Sequence, residues 1–327
     1  MGRHGCPVLS NVLSVNSISA AYLCSGQGSQ FVGMAKDLHD KFDHAKRRFV
    51  QANDILDCDL ADICFNGPED ELRQTRITQP ALYVHTVIVS ELLAEQGVKP
   101  HSTAGHSLGE YSALACASAF TFEIGLALVK VRAEAMQLAG TERPGTMAAI
   151  VGLANEKVEE ICKELAPVGI VVPANYNSPG QLVISGEVLA VEKAMELCKA
   201  AGAKLVRKLV VSGAFHSPLM SPAAEHLSDA LAKADIKTPS VPVLANINGQ
   251  PHSDPKSIRK NLSDQLLSPV RWTDCLHTQN ALSPARWFEL GPGNVLAGLL
   301  KRTINGASAD TIGTAAELEL ILTGATA

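Results

Sequence analysis

The sequence predicts an α/β protein: a main domain on a parallel-sheet core, with a small ferredoxin-like α+β insert. Three observations lead there. Short apolar runs alternate with longer helical patterns over most of the 327 residues, the order expected of a helix-covered parallel sheet. Between residues 146 and 211 the order becomes β-α-β-β-α-β, the ferredoxin-like unit. Aromatic residues make up only 4%, so the interior must be built from Ala, Leu, Val and Ile, which suit close helix packing on a sheet.

Taken in order, Ala20–Ser25 reads as the first strand and runs into the polar loop Gly26-Gln27-Gly28-Ser29-Gln30. Residues 33–52 place Met34, Leu38, Phe42, Ala45 and Phe49 at helical spacing. Ala81–Gln96 is a mostly apolar helix stopped by Gly97, a residue suited to the position after a helix end. Val98–His106 holds the next strand despite Pro100, and Ser107–Ser118 is a helix of small residues. Thr121–Leu138 is a further helix, carrying Arg132 and Met136.

The insert follows, with strands at Thr146–Val151, Gly169–Asn175, Gln181–Ser185 and Lys204–Val211, and helices at Asn155–Leu165 and Glu187–Ala201. Beyond Ser212 come a helix at 219–234, a strand at Val243–Asn246, a helix at Pro255–Leu267, a strand at Arg286–Leu290 and a helix from Val295. The expected division is a discontinuous main domain of residues 20–145 and 212–315 and an insert of 146–211. Residues 1–19 form an extension outside the fold, and 316–327 a C-terminal tail.

A net charge of -5, with two Trp and four Tyr, argues against a nucleic-acid groove or a base-stacking platform. It gives no reason to expect an anionic membrane partner, and no run of about 20 apolar residues is present. The eight cysteines form no C-x-x-C pair and no metal-ligand spacing with histidine. Free thiols in a reducing compartment and no metal are the expectation. Residues 1–19 are too broken for a signal-peptide core. A bacterial-type cytoplasm is the simplest location, and the extension leaves organelle import open.

Gly105-His106-Ser107-Leu108-Gly109 fits G-x-S-x-G between a strand and a small-residue helix, the context of a nucleophile elbow. Ser107 is the candidate nucleophile, held where the N–H groups of the following helix can stabilise an oxyanion. His216, in Gly213-Ala214-Phe215-His216-Ser217-Pro218, is the leading candidate for its base. His106 adjoins the nucleophile and reads as a pocket wall. No aspartate lies between Ser107 and His216, so a glutamate, a backbone carbonyl or a side-chain amide must orient the imidazole. Arg132 follows an almost uncharged helical stretch. It forms either a structural ion pair or a clamp for a substrate carboxylate.

The sequence resembles the malonyl-CoA:acyl-carrier-protein transacylases, the acyltransferases of fatty-acid and polyketide synthesis. The resemblance spans about residues 20–310 in ordered blocks: Ser25-Gly26-Gln27-Gly28-Ser29-Gln30, Thr78-Gln79-Pro80-Ala81-Leu82, Gly105-His106-Ser107-Leu108-Gly109-Glu110, and Arg132 with Met136. It continues through Asn175-Tyr176-Asn177-Ser178-Pro179-Gly180-Gln181, Gly213-Ala214-Phe215-His216-Ser217, Gln265 with Pro269-Val270-Arg271-Trp272, and Glu289-Leu290-Gly291-Pro292-Gly293.

The resemblance implies a hydrolase-like main domain and a ping-pong reaction. Malonyl-CoA would load Ser107, and the phosphopantetheine thiol of holo-acyl-carrier protein would then take the malonyl group. His216 would be the base, oriented by a main-chain carbonyl near Gln265. The backbone N–H groups of Gln27 and Leu108 would hold the oxyanion, and Arg132 the malonyl carboxylate. Met136, Asn175, His106 and Phe215 would support the pocket, Phe215 giving bulk beside the α-carbon. No bound cofactor is implied. The partners would be carrier protein and CoA species, with fatty-acid synthesis the pathway and a monomer the state. Carrier docking would fall on Lys204, Arg207 and Lys208, or on Lys256, Arg259 and Lys260. The family usually has proline at the position of Ser25, so the loop is expected to be slightly less rigid. The rival readings are a methylmalonyl-specific acyltransferase, a serine esterase or thioesterase on the same pair, and a silent carrier-binding module.

Overall fold

The computed structural model describes residues 19–323. The chain opens with β1 (Ala20–Cys24), buried throughout. Four short helices follow: α1 (Lys36–Lys41), α2 (Asp43–Leu56), α3 (Leu60–Asn66) and α4 (Glu69–Leu72). The single helix expected over 33–52 is broken at Phe42, whose backbone is extended at φ -113°, ψ 121°. The apolar spacing survives the break because α1 and α2 both bury that face, through Leu38, Ala45 and Phe49.

α5 (Thr75–Glu95) is buried along most of its length and starts ahead of the expected Ala81. Pro80 sits inside the helix. It removes one backbone hydrogen bond, and burial of its neighbours offsets the loss. β2 (Pro100–Gly105), α6 (Gly109–Cys116) and α7 (Phe122–Glu142) complete the first part.

The next stretch folds as β3 (Gly145–Val151), α8 (Asn155–Glu164), β4 (Val171–Ser178), β5 (Gln181–Glu187), α9 (Val188–Ala200) and β6 (Leu205–Lys208). A 3₁₀ turn at Pro218–Met220 leads into α10 (Ser221–Lys233), α11 (Pro255–Gln265) and α12 (Trp272–Ala281). The chain ends in β7 (Arg286–Leu290), α13 (Val295–Thr303), β8 (Asp310–Ile312) and α14 (Ala315–Thr323).

Two sheets result. The first has the order β2-β1-β7-β8, with every pair parallel. The second has the order β4-β5-β3-β6, with every pair antiparallel, as a ferredoxin-like unit requires. Along β1, Tyr22 and Cys24 enter one apolar cluster and Leu23 another, so helices cover both faces of the parallel sheet. The second sheet has its own core around Ala148, Ile150 and Ile184. The two bodies are stitched by main-chain bonds: Val270 N–H donates to Ala174 O at 2.8 Å, and Tyr176 N–H to Val270 O at 2.9 Å.

Two expectations need correction. Val243–Asn246 is not a strand of the sheet. Val243 makes one parallel bridge to Thr103, and the chain then turns so that Gly249 N–H reaches Ala245 O. The stretch expected as a tail begins inside α14, whose Leu318 is fully buried on the main core. At the other end, Ser19 O accepts from Ala285 and Arg286 N–H, and the rest of the 1–19 extension lies outside the described residues. Among the described residues no helix is long and apolar enough to cross a membrane.

The register carries the argument toward function. Cys24, Gly105 and Leu290 pair side by side at the carboxyl edge of β1, β2 and β7. The loops at Gly26, His106 and Gly291 therefore leave the sheet together, at the edge where open α/β sheets bind ligands.

Candidate active site

Ser107 follows β2 and precedes α6, with φ at 54°. A non-glycine residue there is strained, and such strain is a recurrent feature of nucleophile elbows. The turn tolerates no flanking side chains. A Cβ at Gly105 would lie 1.9 Å from Gly109 backbone, and one at Gly109 would lie 2.2 Å from Cys24 O. Gly26 is held the same way, its Cβ position 2.5 Å from His106 O.

His216 Nδ1 lies 2.9 Å from Gln265 O. A carbonyl only accepts, so Nδ1 carries the proton and Nε2 is bare. Ser107 Oγ sits 2.8 Å from Nε2 and donates to it. Burial, and then the charge of Arg132, push the imidazole down to about 3, against the pull of the Gln265 carbonyl. His216 is therefore a neutral acceptor at neutral pH.

Arg132 is fully buried. Its Nη2 donates to Ser107 Oγ at 3.0 Å and Gln265 Oε1 at 2.9 Å, and its Nη1 to Gln79 Oε1 at 2.7 Å. Gln79 Nε2 in turn donates to Met136 Sδ at 3.4 Å. The arginine faces the nucleophile, and no carboxylate among the described residues forms an ion pair with it. Its Nη1 and Nη2 are met by neutral oxygens alone, so the arginine is not spent on a structural ion pair.

A cleft of about 230 Å³ opens over this group. Gln27, His106, Ser107, Met136, Asn175 and Phe215 line it, with Met147 and Val183 of the antiparallel sheet and Val295, Leu296 and Leu299 of α13. His106 Nε2 pairs with Asn177 Oδ1 at 2.8 Å and its ring packs on Trp272, so it forms wall beside the serine. Leu108 precedes the first residue of α6, where backbone N–H groups lack intrahelical partners. Gln27 reaches the same cleft from the loop after β1.

The structure gives Asn246, Glu110 and Ser25 contacts that the sequence did not predict. Asn246 Oδ1 accepts from Ser107 N–H at 2.7 Å and its Nδ2 donates to Gly105 O at 2.8 Å, bracing the elbow from below. Glu110 lies under the elbow against His252, Asn246 and Gln265. Ser25 uses both its N–H and its hydroxyl to bond Leu290 O, at 3.1 and 3.0 Å. A proline has neither donor, so this loop is tethered where a looser one was expected. Of the basic clusters, Arg259 spends its guanidinium on the carbonyls of Leu231, Ala234 and Pro255. Lys260 pairs with Asp264 and Lys208 with Glu192. Among the described residues no group of three or more His, Cys, Asp or Glu side chains could hold a metal ion.

A half-buried serine beside a buried histidine with a carbonyl-held tautomer, and an arginine on the serine, can attack a carbonyl and hold an anionic acyl group. Residues 21–318 match the acyl transferase domain family. The malonyl CoA-acyl carrier protein transacylase of Bacillus subtilis (strain 168) is 43% identical over 86% of this chain and 89% of its own length. That of Escherichia coli (strain K12) is 42% identical over 89% of this chain and 95% of its own. A solved malonyl-transacylase in complex with a type II PKS acyl-carrier protein superposes with a TM-score of 0.90 at 42% identity, covering 94% of this chain and 99% of that one. The transacylase from Coxiella burnetii also reaches 0.90, at 38% identity, over 94% and 98%. The chain belongs to the acyl transferase domain family.

Proposed function

We propose that this member of the acyl transferase family moves a malonyl group from malonyl-CoA to the phosphopantetheine thiol of holo-acyl-carrier protein, through a malonyl-Ser107 intermediate, in fatty-acid synthesis. The observation that carries the reading is Arg132 Nη2 at 3.0 Å from Ser107 Oγ. A guanidinium fixed beside a nucleophile suits an acyl group that bears its own carboxylate.

In the first half-reaction His216 Nε2 takes the Ser107 proton as Oγ bonds the thioester carbon. The N–H groups of Gln27 and Leu108 take the developing oxyanion. The carbon–sulfur bond then breaks, and the imidazolium returns its proton to the CoA thiolate. In the second half the pantetheine thiol gives its proton to Nε2 and its sulfur attacks the malonyl ester. Collapse restores Ser107 with the same proton.

The malonyl carboxylate does more than bind. On Arg132 it offsets the charge that, after burial, does most to weaken His216 as a base. The substrate thereby strengthens the base that deprotonates its attacker, Ser107. An acetyl group brings no such charge and leaves the guanidinium with one anionic partner fewer.

Free thiols at all seven described cysteines suit a reducing compartment. The reading places the enzyme in a bacterial-type cytoplasm, with import through residues 1–19 as the alternative. Intact-protein mass spectrometry after incubation with malonyl-CoA tests the function. Wild type should gain one malonyl group and pass it to holo-carrier protein, and Ser107→Ala should gain none. Release to water with no transfer to carrier protein would instead identify a thioesterase.

A further inference from the structure

The polar cluster beneath the elbow has no part in the steps above. We propose that Glu110 is a positioning residue for malonyl selectivity: it locks the Gln265 side-chain amide in the orientation that presents oxygen to Arg132. The inference rests on the malonyl-transfer reading.

Glu110 is fully buried near the start of α6. Its Oε2 accepts from Gln265 Nε2 at 2.7 Å and Asn246 N–H at 3.0 Å, and its Oε1 faces His252 Nε2 at 2.9 Å. Asn261 Nδ2 lies 3.2 Å from His252 Nδ1, which leaves the ring proton on Nε2, directed at Glu110. The carboxylate is thus met by donors alone, and it cannot turn away from Gln265 without orphaning them.

Gln265 Nε2 faces three oxygens: Glu110 Oε2, Ser107 O at 3.0 Å and Asn246 Oδ1 at 3.4 Å. Its Oε1 faces Arg132 Nη2. Turned over, the amide would set its NH₂ against the guanidinium and its oxygen against three acceptors. Glu110 makes the shortest of these contacts, so it does most to forbid that state.

The consequence reaches the substrate through Arg132. The guanidinium is aimed by Gln79 Oε1 on Nη1 and by Gln265 Oε1 and Ser107 Oγ on Nη2. Losing the Gln265 oxygen leaves Nη2 held only by Ser107 Oγ, the atom that the reaction acylates. A clamp discriminates only while its distance from Ser107 is fixed. Glu110 touches neither substrate nor reacting atoms, so its removal should blur acyl choice more than it slows acyl capture.

The test is competition between malonyl-CoA and acetyl-CoA for Ser107, read as the ratio of the two acyl-enzymes by mass, with melting temperature followed in parallel. Glu110→Ala should lower the malonyl:acetyl ratio by about tenfold or more, the loss expected when a buried donor is left without its acceptor. Glu110→Gln keeps an oxygen for Gln265 and can meet His252 in its other tautomer once the Asn261 amide turns to present its oxygen to Nδ1, so it should restore most of the ratio.

A ratio unchanged in Glu110→Ala overturns the proposal, and so does an equal loss in Glu110→Gln. If Glu110→Ala does not fold, Gln265→Ala carries the test. It removes the amide and keeps the main-chain carbonyl, and an unchanged ratio there overturns the proposal equally. Wild type that captures no malonyl group would sink the functional reading instead, so the two failures are distinct.

Discussion

His216 Nδ1 is held at 2.9 Å by the main-chain carbonyl of Gln265, where many serine enzymes place a carboxylate. A carbonyl fixes the tautomer and adds no negative charge to stabilise the imidazolium. Burial, and then the charge of Arg132, weaken the base in the free enzyme, and the carbonyl opposes them only in part. His216→Ala should slow malonyl capture by about 10²–10⁴-fold, measured by single-turnover loading of Ser107. Loading at the wild-type rate would show that another group takes the serine proton.

Arg132→Ala should slow malonyl loading by about tenfold or more, since hydrogen bonds to charged groups contribute about 1.5–3 kcal/mol. Acetyl loading should hold or rise. Side-by-side rates with the two CoA thioesters decide it, and equal losses would remove the carboxylate clamp.

The acid side of the pH profile follows from three imidazoles. Burial is the main cause in each: it lowers His106, and brings His216 to about 3 and His85 to about 4. A histidine whose folded value lies below its ordinary one favours the fold while neutral. That stability is whole above about pH 6.5 and is lost as the pH falls toward the folded values. Melting temperature should therefore decline as acid is added below about pH 6.5, and His85→Gln should flatten part of the slope. A melting temperature that does not move between neutral pH and about pH 4 would contradict this.

Two glycine substitutions should act in opposite directions. Gly105→Ala drives a methyl to 1.9 Å from Gly109 backbone. It should lower the melting temperature by roughly 5 °C or more and abolish loading, because overpacked sites cost about 1–3 kcal/mol or above. Gly298→Ala in α13 meets nothing within 4 Å and should stabilise by about 0.5–1 kcal/mol. Thermal melts of both variants settle the matter.

Much of the catalytic group was legible because its signals are local. Gly105 and Gly109 announce a turn that only glycine can make around Ser107, and His216 stands in a short interruption after an apolar run. The absence of aspartate between them pointed to a neutral or glutamate orienter, and the carbonyl of Gln265 fills that place. The parts played by Glu110 and Asn246 were hidden for the opposite reason. Glu110 closes the motif block around Ser107, but the groups it holds, and the serine that Asn246 braces, lie more than a hundred residues away in the chain. The break at Phe42 was hidden because both helices bury the same apolar face. α14 was missed because a nine-residue helix with Ala315 and Leu318 as its buried positions carries little periodic signal.

The Val270 seam has a last consequence. Two main-chain bonds fasten the Val270 segment to the strand that carries Asn175, and Arg302 Nη1 of α13 reaches Gln181 Oε1 of β5 at 2.8 Å. Any motion that parts the antiparallel sheet from the parallel one must break these bonds first.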